Sequence, residues 1–216
     1  MPKTLAEGAS NLSKGGDPAK SACCGPSAGV APFIEQLAAP TPAPAGGSAS
    51  AAAAAMAAGV VSMVAAISRG RKACLQHESQ LSEAIGRLTR LREKLTAAVD
   101  ADAEAYMAFM KAFKAARESS GGRREINAAL QRAVDVPLSV AEMAAEVAGI
   151  ATALKPVTGP SMSGDLNTAI VLAKAACEAS RTNVEINLDL IEPDSPKDQS
   201  FVRETRKRVK ALEVQA

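Results

Sequence analysis

The chain has 216 residues, enough for one helical domain with a buried core. Only 2% of them are aromatic, with no Trp and one Tyr, and 25 basic residues are interspersed with 23 acidic ones for a net charge of +2. That composition excludes a dedicated nucleic-acid binder, which needs a basic stripe with interleaved aromatics, and the abundant Ala argues against sheet.

Residues 1–29 are polar and Gly-rich and cannot bury enough apolar surface to offset ordering, so they read as a disordered tail ahead of a helical domain over 30–216. The tail has no apolar segment of the signal-peptide kind. Cys23, Cys24, Cys74 and Cys177 show no CxxC spacing, and the single histidine, His77, lacks a nearby ligand set. No metal site is expected, and reduced thiols point to the cytoplasm.

A short helix begins near Val30 and includes Phe33, Ile34 and Leu37. The run Pro40-Thr41-Pro42-Ala43-Pro44-Ala45-Gly46-Gly47 is a loop, and Ser48 is a candidate N-cap for the Ala-rich helix that follows. Ala49 to Ile67 carries no charge and nearly has the length of a bilayer span. Its Ala content is too high and its Leu, Ile and Val content too low for one, so no membrane partner is expected.

A second long helix is predicted over 78–118, ended by Ser119-Ser120-Gly121-Gly122. A third covers 123–154, kinked or interrupted near Pro137, which lacks a backbone donor. After a Pro- and Gly-containing loop at 155–164, a fourth covers 165–191 and a fifth runs from 197 to the C-terminus. Long helices with short breaks predict an all-α fold, an up-and-down antiparallel bundle of about five long helices.

Two polar anomalies interrupt the apolar seams. In the second helix, Leu88, Leu91, Leu95, Ala98, Ala105 and Phe109 step by threes and fours, and Asp102 falls on that stripe with Tyr106 one turn later. A carboxylate in an apolar seam costs free energy unless it is paired, hydrogen-bonded or protonated, which marks either an acid/base or an inter-helix bond. In the fourth helix the predicted inward stripe is Asp165, Ala169, Leu172, Ala176, Ala179, Asn183, Asn187 and Leu190. Its two carboxamides share one face and could read a heterocycle or simply fix helix register. Lys174 with Glu178 and Arg181 with Glu185 read as exposed pairs. Gly46, Gly47 and Ser48 could offer backbone N–H groups to an anion at a helix start, and Arg71 and Lys72 beyond the other end could attract an anionic tail.

The combination of Pro42-Ala43-Pro44-Ala45-Gly46-Gly47-Ser48, Gly70-Arg71-Lys72, the octet Val99 to Tyr106, Val136-Pro137-Leu138, Asp165, and Asn183 to Leu188 resembles the folate cyclodeaminase/cyclohydrolase family. Ala45 stands where relatives usually carry Gly. The resemblance implies a helical homodimer acting on a tetrahydrofolate derivative as substrate, with no permanently bound cofactor. It implies proton transfer by Asp102. It further implies substrate contacts at Gly46, Gly47, Ser48, Arg71, Lys72, Tyr106, Asp165, Asn183 and Asn187. The octet points to 5-formimino-tetrahydrofolate cyclodeaminase, with 5,10-methenyl-tetrahydrofolate cyclohydrolase as the alternative and a non-catalytic helical scaffold as a further one.

Overall fold

In the computed structural model, residues 26–118 and 122–213 are described. They hold six α-helices: α1 (Pro26–Ala38), α2 (Gly46–Arg69), α3 (Glu78–Glu118), α4 (Arg123–Leu154), α5 (Ser163–Asp189) and α6 (Pro196–Glu213). The chain divides into two compact units, Met1–Ala39 and Pro40–Ala216. In the first, α1 starts at Pro26, so Pro26 to Gly29 are helical where a tail is expected from the sequence. Pro suits a helix's first turn, where its missing N–H has no intrahelical partner. The expected tail over residues 1–25, with Cys23 and Cys24, lies outside the described residues.

The second unit is an up-and-down bundle in which α2, α3, α4 and α5 alternate in direction. Arg87 of α3 meets Glu146 of α4, Ser48 of α2 meets Val99 of α3, and Asn187 of α5 meets Ala133 of α4. The first and third pairs join the early part of one helix to the late part of its neighbour, and the start of α2 meets the middle of the longer α3, as antiparallel neighbours joined by short connections do. α6 lies parallel to α4, with Gln131 holding Asp198 at one level and Arg208 gripping Glu142 at another.

Alanine sets the spacing. Ala51, Ala54, Ala57, Ala58 and Ala65 of α2 are fully buried together with Val61 and Val64, and they face Leu81, Leu88, Leu91 and Leu95 of α3. Small side chains on one helix against Leu on the other bring the backbones close without leaving voids. α2 is long and apolar enough to cross a membrane by length and composition, as is the stretch Arg123–Val157, but both contribute their inner faces to this core. Cys74 and Cys177 are buried free thiols within it. A second, smaller cluster gathers Leu130, Val134, Leu138, Val184, Leu188, Ile191 and Val209 beneath the ends of α4, α5 and α6.

Three local expectations change. The chain cap before α2 is Ala45, in extended backbone with φ −138° and no side-chain cap bond, so Ser48 lies inside the helix rather than at its cap. α4 runs unbroken through Pro137, which is buried within it. The buried positions of α5 are Leu166, Ala169, Ala173, Ala176, Cys177, Ser180, Arg181, Val184 and Leu188. The true seam is therefore turned from the predicted one, because helical spacing fits two adjacent stripes when small residues crowd both. Asp165, Ala179 and Leu190 are exposed, and Arg181 is buried and paired with Glu178 rather than Glu185.

Candidate functional site

α3 is 41 residues long and α2 only 24. α2 begins at Gly46 beside Asp102, so the last four turns of α3 continue past the level where α2 starts. The space that α2 leaves there is a cleft of about 200 Å³. The loop residues Pro42, Ala43 and Ala45 roof it, with Gly46 and Gly47 at the start of α2. Tyr106 and Phe109 of α3, Leu130 and Ala133 of α4, Asn183 and Asn187 of α5 and Leu190 just past its end complete the wall. Among these lining residues Asp102 carries the only carboxyl group. The volume is below the roughly 300 Å³ at which drug-sized pockets begin, so it has room for one ring system rather than a whole drug-sized molecule.

Asp102 is held from below. A Cβ built on Gly47 would overlap its Oδ1 and lie 2.5 Å from its Cγ, so the carboxyl rests directly on the glycine backbone. Only glycine leaves that space. Burial pushes the Asp102 carboxyl above the ordinary carboxylate range, while the Ser48 hydroxyl and the Ser48 backbone N–H pull it part of the way back. That N–H belongs to the first turn of α2, where unpaired donors favour an anion.

Ser48 is fully buried, and its hydroxyl lies 2.8 Å from the Val99 carbonyl and 3.1 Å from Asp102 Oδ2. A hydroxyl has one proton to donate and can accept another. With that proton on the Val99 carbonyl, Asp102 pairs with Ser48 by donating its own, so the protonated acid is accommodated. With Asp102 ionised, the hydroxyl turns to the carboxylate. Both protonation states thus keep a partner, as a proton shuttle requires. Ser48 reaches a ligand only through Asp102.

On the opposite wall, the Asn187 Nδ2 donates to the Ala133 carbonyl at 2.7 Å. Asn183, one turn earlier, lines the same wall and is half-buried. The remaining expected contacts lie elsewhere. Arg71 and Lys72 follow the far end of α2, about 36 Å along its axis from Gly46. There Arg71 Nη1 donates to Ser161 Oγ at 3.2 Å, just ahead of α5, and the exposed Asp165 lies in that helix's first turn. One chain brings Gly46, Gly47, Ser48, Asp102, Tyr106, Asn183 and Asn187 together. It leaves Arg71, Lys72 and Asp165 at the other end of the bundle.

Residues 29–211 match the family model described as formiminotransferase-cyclodeaminase. The chain belongs to that family. Its curated relatives include a methenyltetrahydrofolate cyclohydrolase from Methylorubrum extorquens, 29% identical over 85% of this chain and 88% of the relative. A formimidoyltransferase-cyclodeaminase from Sus scrofa is 30% identical over 73% of this chain but only 29% of that longer protein. The crystal structure of a formiminotetrahydrofolate cyclodeaminase from Thermotoga maritima superposes with a TM-score of 0.76 at 27% identity, covering 85% of this chain and 87% of that one. Membership of a family of folate enzymes sets aside the non-catalytic scaffold. Ala45 sits in extended backbone that any residue adopts, so it leaves the loop unstrained.

Proposed function

We propose that this chain is a methenyltetrahydrofolate cyclohydrolase, converting 5,10-methenyl-tetrahydrofolate and water to 10-formyl-tetrahydrofolate. The observation that carries the reading is the match to the Methylorubrum extorquens cyclohydrolase, which spans nearly the full length of both chains. The cleft supplies what the reaction needs, a single carboxyl with a raised pKa beside space for a ring system. Asp102 takes a proton from the water that adds to the bridging carbon, giving a tetrahedral carbon that bears a hydroxyl. It returns that proton to N5 as the carbon–N5 bond breaks. The hydroxyl proton leaves to solvent, and the formyl group stays on N10.

The second reading is the cyclodeaminase, favoured by the octet around Asp102 and by the Thermotoga maritima neighbour. There N10 attacks the formimino carbon and ammonia leaves from the same kind of tetrahedral carbon, so one acid/base serves either reaction. The deciding assay follows loss of 5,10-methenyl-tetrahydrofolate absorbance and, separately, ammonia release from 5-formimino-tetrahydrofolate. Rapid ammonia release without methenyl hydrolysis would transfer the assignment to the second reading.

The same proposal includes a homodimer. α2 exposes Met56, Met63 and Ile67, and near its midpoint Gly59 has nothing within 4 Å where a Cβ would be. A mid-helix glycine costs roughly 1 kcal/mol relative to Ala, a cost that close approach of a second helix would offset. Pairing α2 with its copy about a two-fold axis near Gly59 sets the Gly46 end of one chain against the Arg71 end of the other. Arg71 and Lys72 of each chain would then meet the anionic tail of a folate seated in its partner's cleft.

A further inference from the structure

Pro137 is the fifteenth residue of α4 and buried, in a helix that continues for four more turns beyond it. A proline there has no N–H for the carbonyl four residues earlier, which is that of Ala133. Its ring also crowds that carbonyl and favours a tilt away from the helix axis. Ala133 lines the cleft, and its carbonyl is the one that accepts the Asn187 Nδ2 at 2.7 Å. The acceptor dictates the flip of the carboxamide, since only the nitrogen can donate to a carbonyl. With Nδ2 so committed, Asn187 has its Oδ1 left as an acceptor for an N–H of the ligand's heterocycle.

We propose that Pro137 is a positioning residue for substrate: by withholding a helical hydrogen bond it frees the Ala133 carbonyl to lock the Asn187 carboxamide in its ligand-reading orientation. This deepens the folate reading above and rests on it for the identity of the ligand. The proline and the asparagine sit on different helices and are coupled through one backbone oxygen. A proline kept only for the fold would have no reason to depend on residue 187.

The test is a double-mutant cycle on the full chain with Pro137→Ala and Asn187→Ala, read in two ways. Wild-type turnover of 5,10-methenyl- or 5-formimino-tetrahydrofolate is measured first, because its absence would count against the proposed function alone. Pro137→Ala restores the N–H that competes for the Ala133 carbonyl, and KM should rise about tenfold with a smaller change in kcat. Asn187→Ala should raise KM similarly, and the double variant no further. In melting temperature, Asn187→Ala should lose more with Pro137 present, where it strands the Ala133 carbonyl, than in the Pro137→Ala background, where the restored N–H satisfies it. The thermal arm holds whether or not either folate is turned over. An unchanged KM in Pro137→Ala, or equal thermal losses in the two backgrounds, overturns the coupling. So does a Pro137→Ala chain that loses its helical circular dichroism, since the ring would then be serving the fold.

Discussion

The two ends of the bundle carry polar residues in opposite ways. At the Asp102 end three groups are held by their neighbours: the carboxyl lies on the Gly47 backbone, Ser48 bridges it to the Val99 carbonyl, and Asn187 is tied to Ala133. At the other end Lys72 and Asp165 are exposed, and the guanidinium of Arg71 lies beside Gly159 and donates to the exposed Ser161. Fixed groups suit chemistry, where a small displacement of the acid/base costs turnover. Solvated cations on long stems suit the capture of an anionic tail whose position varies.

The contrast is broken most sharply at Asp102. Asp102→Asn keeps volume and hydrogen bonding but removes the titrating proton, and turnover should fall on the order of 10²–10⁴-fold while ligand affinity changes far less. Folding raises the Asp102 pKa, so its contribution to stability is full below the ordinary carboxylate value and is lost as pH rises through the raised one. The variant should therefore melt at or above the wild-type temperature at neutral pH. Full turnover in Asp102→Asn would end the proton-transfer assignment.

Next in size is Gly47→Ala. Its methyl group must expel the carboxyl that rests against the glycine, and a misplaced acid/base should cost turnover about 100-fold with little change in helicity. A crystal structure of the variant should show Asp102 moved, and wild-type kinetics would refute the close contact.

At the other end, Arg71→Ala with Lys72→Ala should raise KM about tenfold and leave kcat nearly intact. If the proposed dimer shares its clefts, mixing that variant with Asp102→Asn should restore activity, because a mixed dimer would hold one cleft with its own Asp102 and its partner's cations. Failure of the mixture to exceed either variant, with exchange of subunits verified, would remove the shared site.

The smallest effect belongs to Ser48→Ala. The Ser48 hydroxyl lowers a pKa that burial raises, so its loss moves the Asp102 pKa upward. With the carboxylate acting as base, activity is lost as pH falls through that pKa. The acid limb of the pH–turnover profile should therefore shift to higher pH, with the neutral plateau retained. An unmoved limb would show that the contact carries no proton coupling.

Much of this was legible in the sequence. The end of α3 and the start of α4 follow from the Ser and Gly cluster between them, and Asp102 stands out because a lone carboxylate interrupts a Leu and Ala stripe. α5 was harder, since Ala and Cys fill positions on both sides of its seam and periodicity could not choose between them. A serine at the head of an Ala run reads as a cap, and nothing local tells that its hydroxyl meets a carboxylate 54 residues away. Pro137 reads as a breaker because its lost hydrogen bond is visible in the sequence, whereas the asparagine that replaces the bond on the carbonyl side is about 50 positions further on. The separation of Arg71 from Asp102 could have been found by counting the rise of α2, but a stripe of residues describes a face and not a height.

The contact between Gly47 and Asp102 also constrains how this site can change over generations. A methyl group at position 47 and a seated carboxyl at position 102 exclude each other, so a lineage cannot acquire the first while it still depends on the second. Loss of the acid must come before, or together with, loss of the glycine. A descendant with alanine at position 47 and the aspartate retained at position 102 would look intact to anyone checking the acidic residue alone, yet its carboxyl would be displaced. The glycine is the more telling of the two positions when sorting working copies from retired ones.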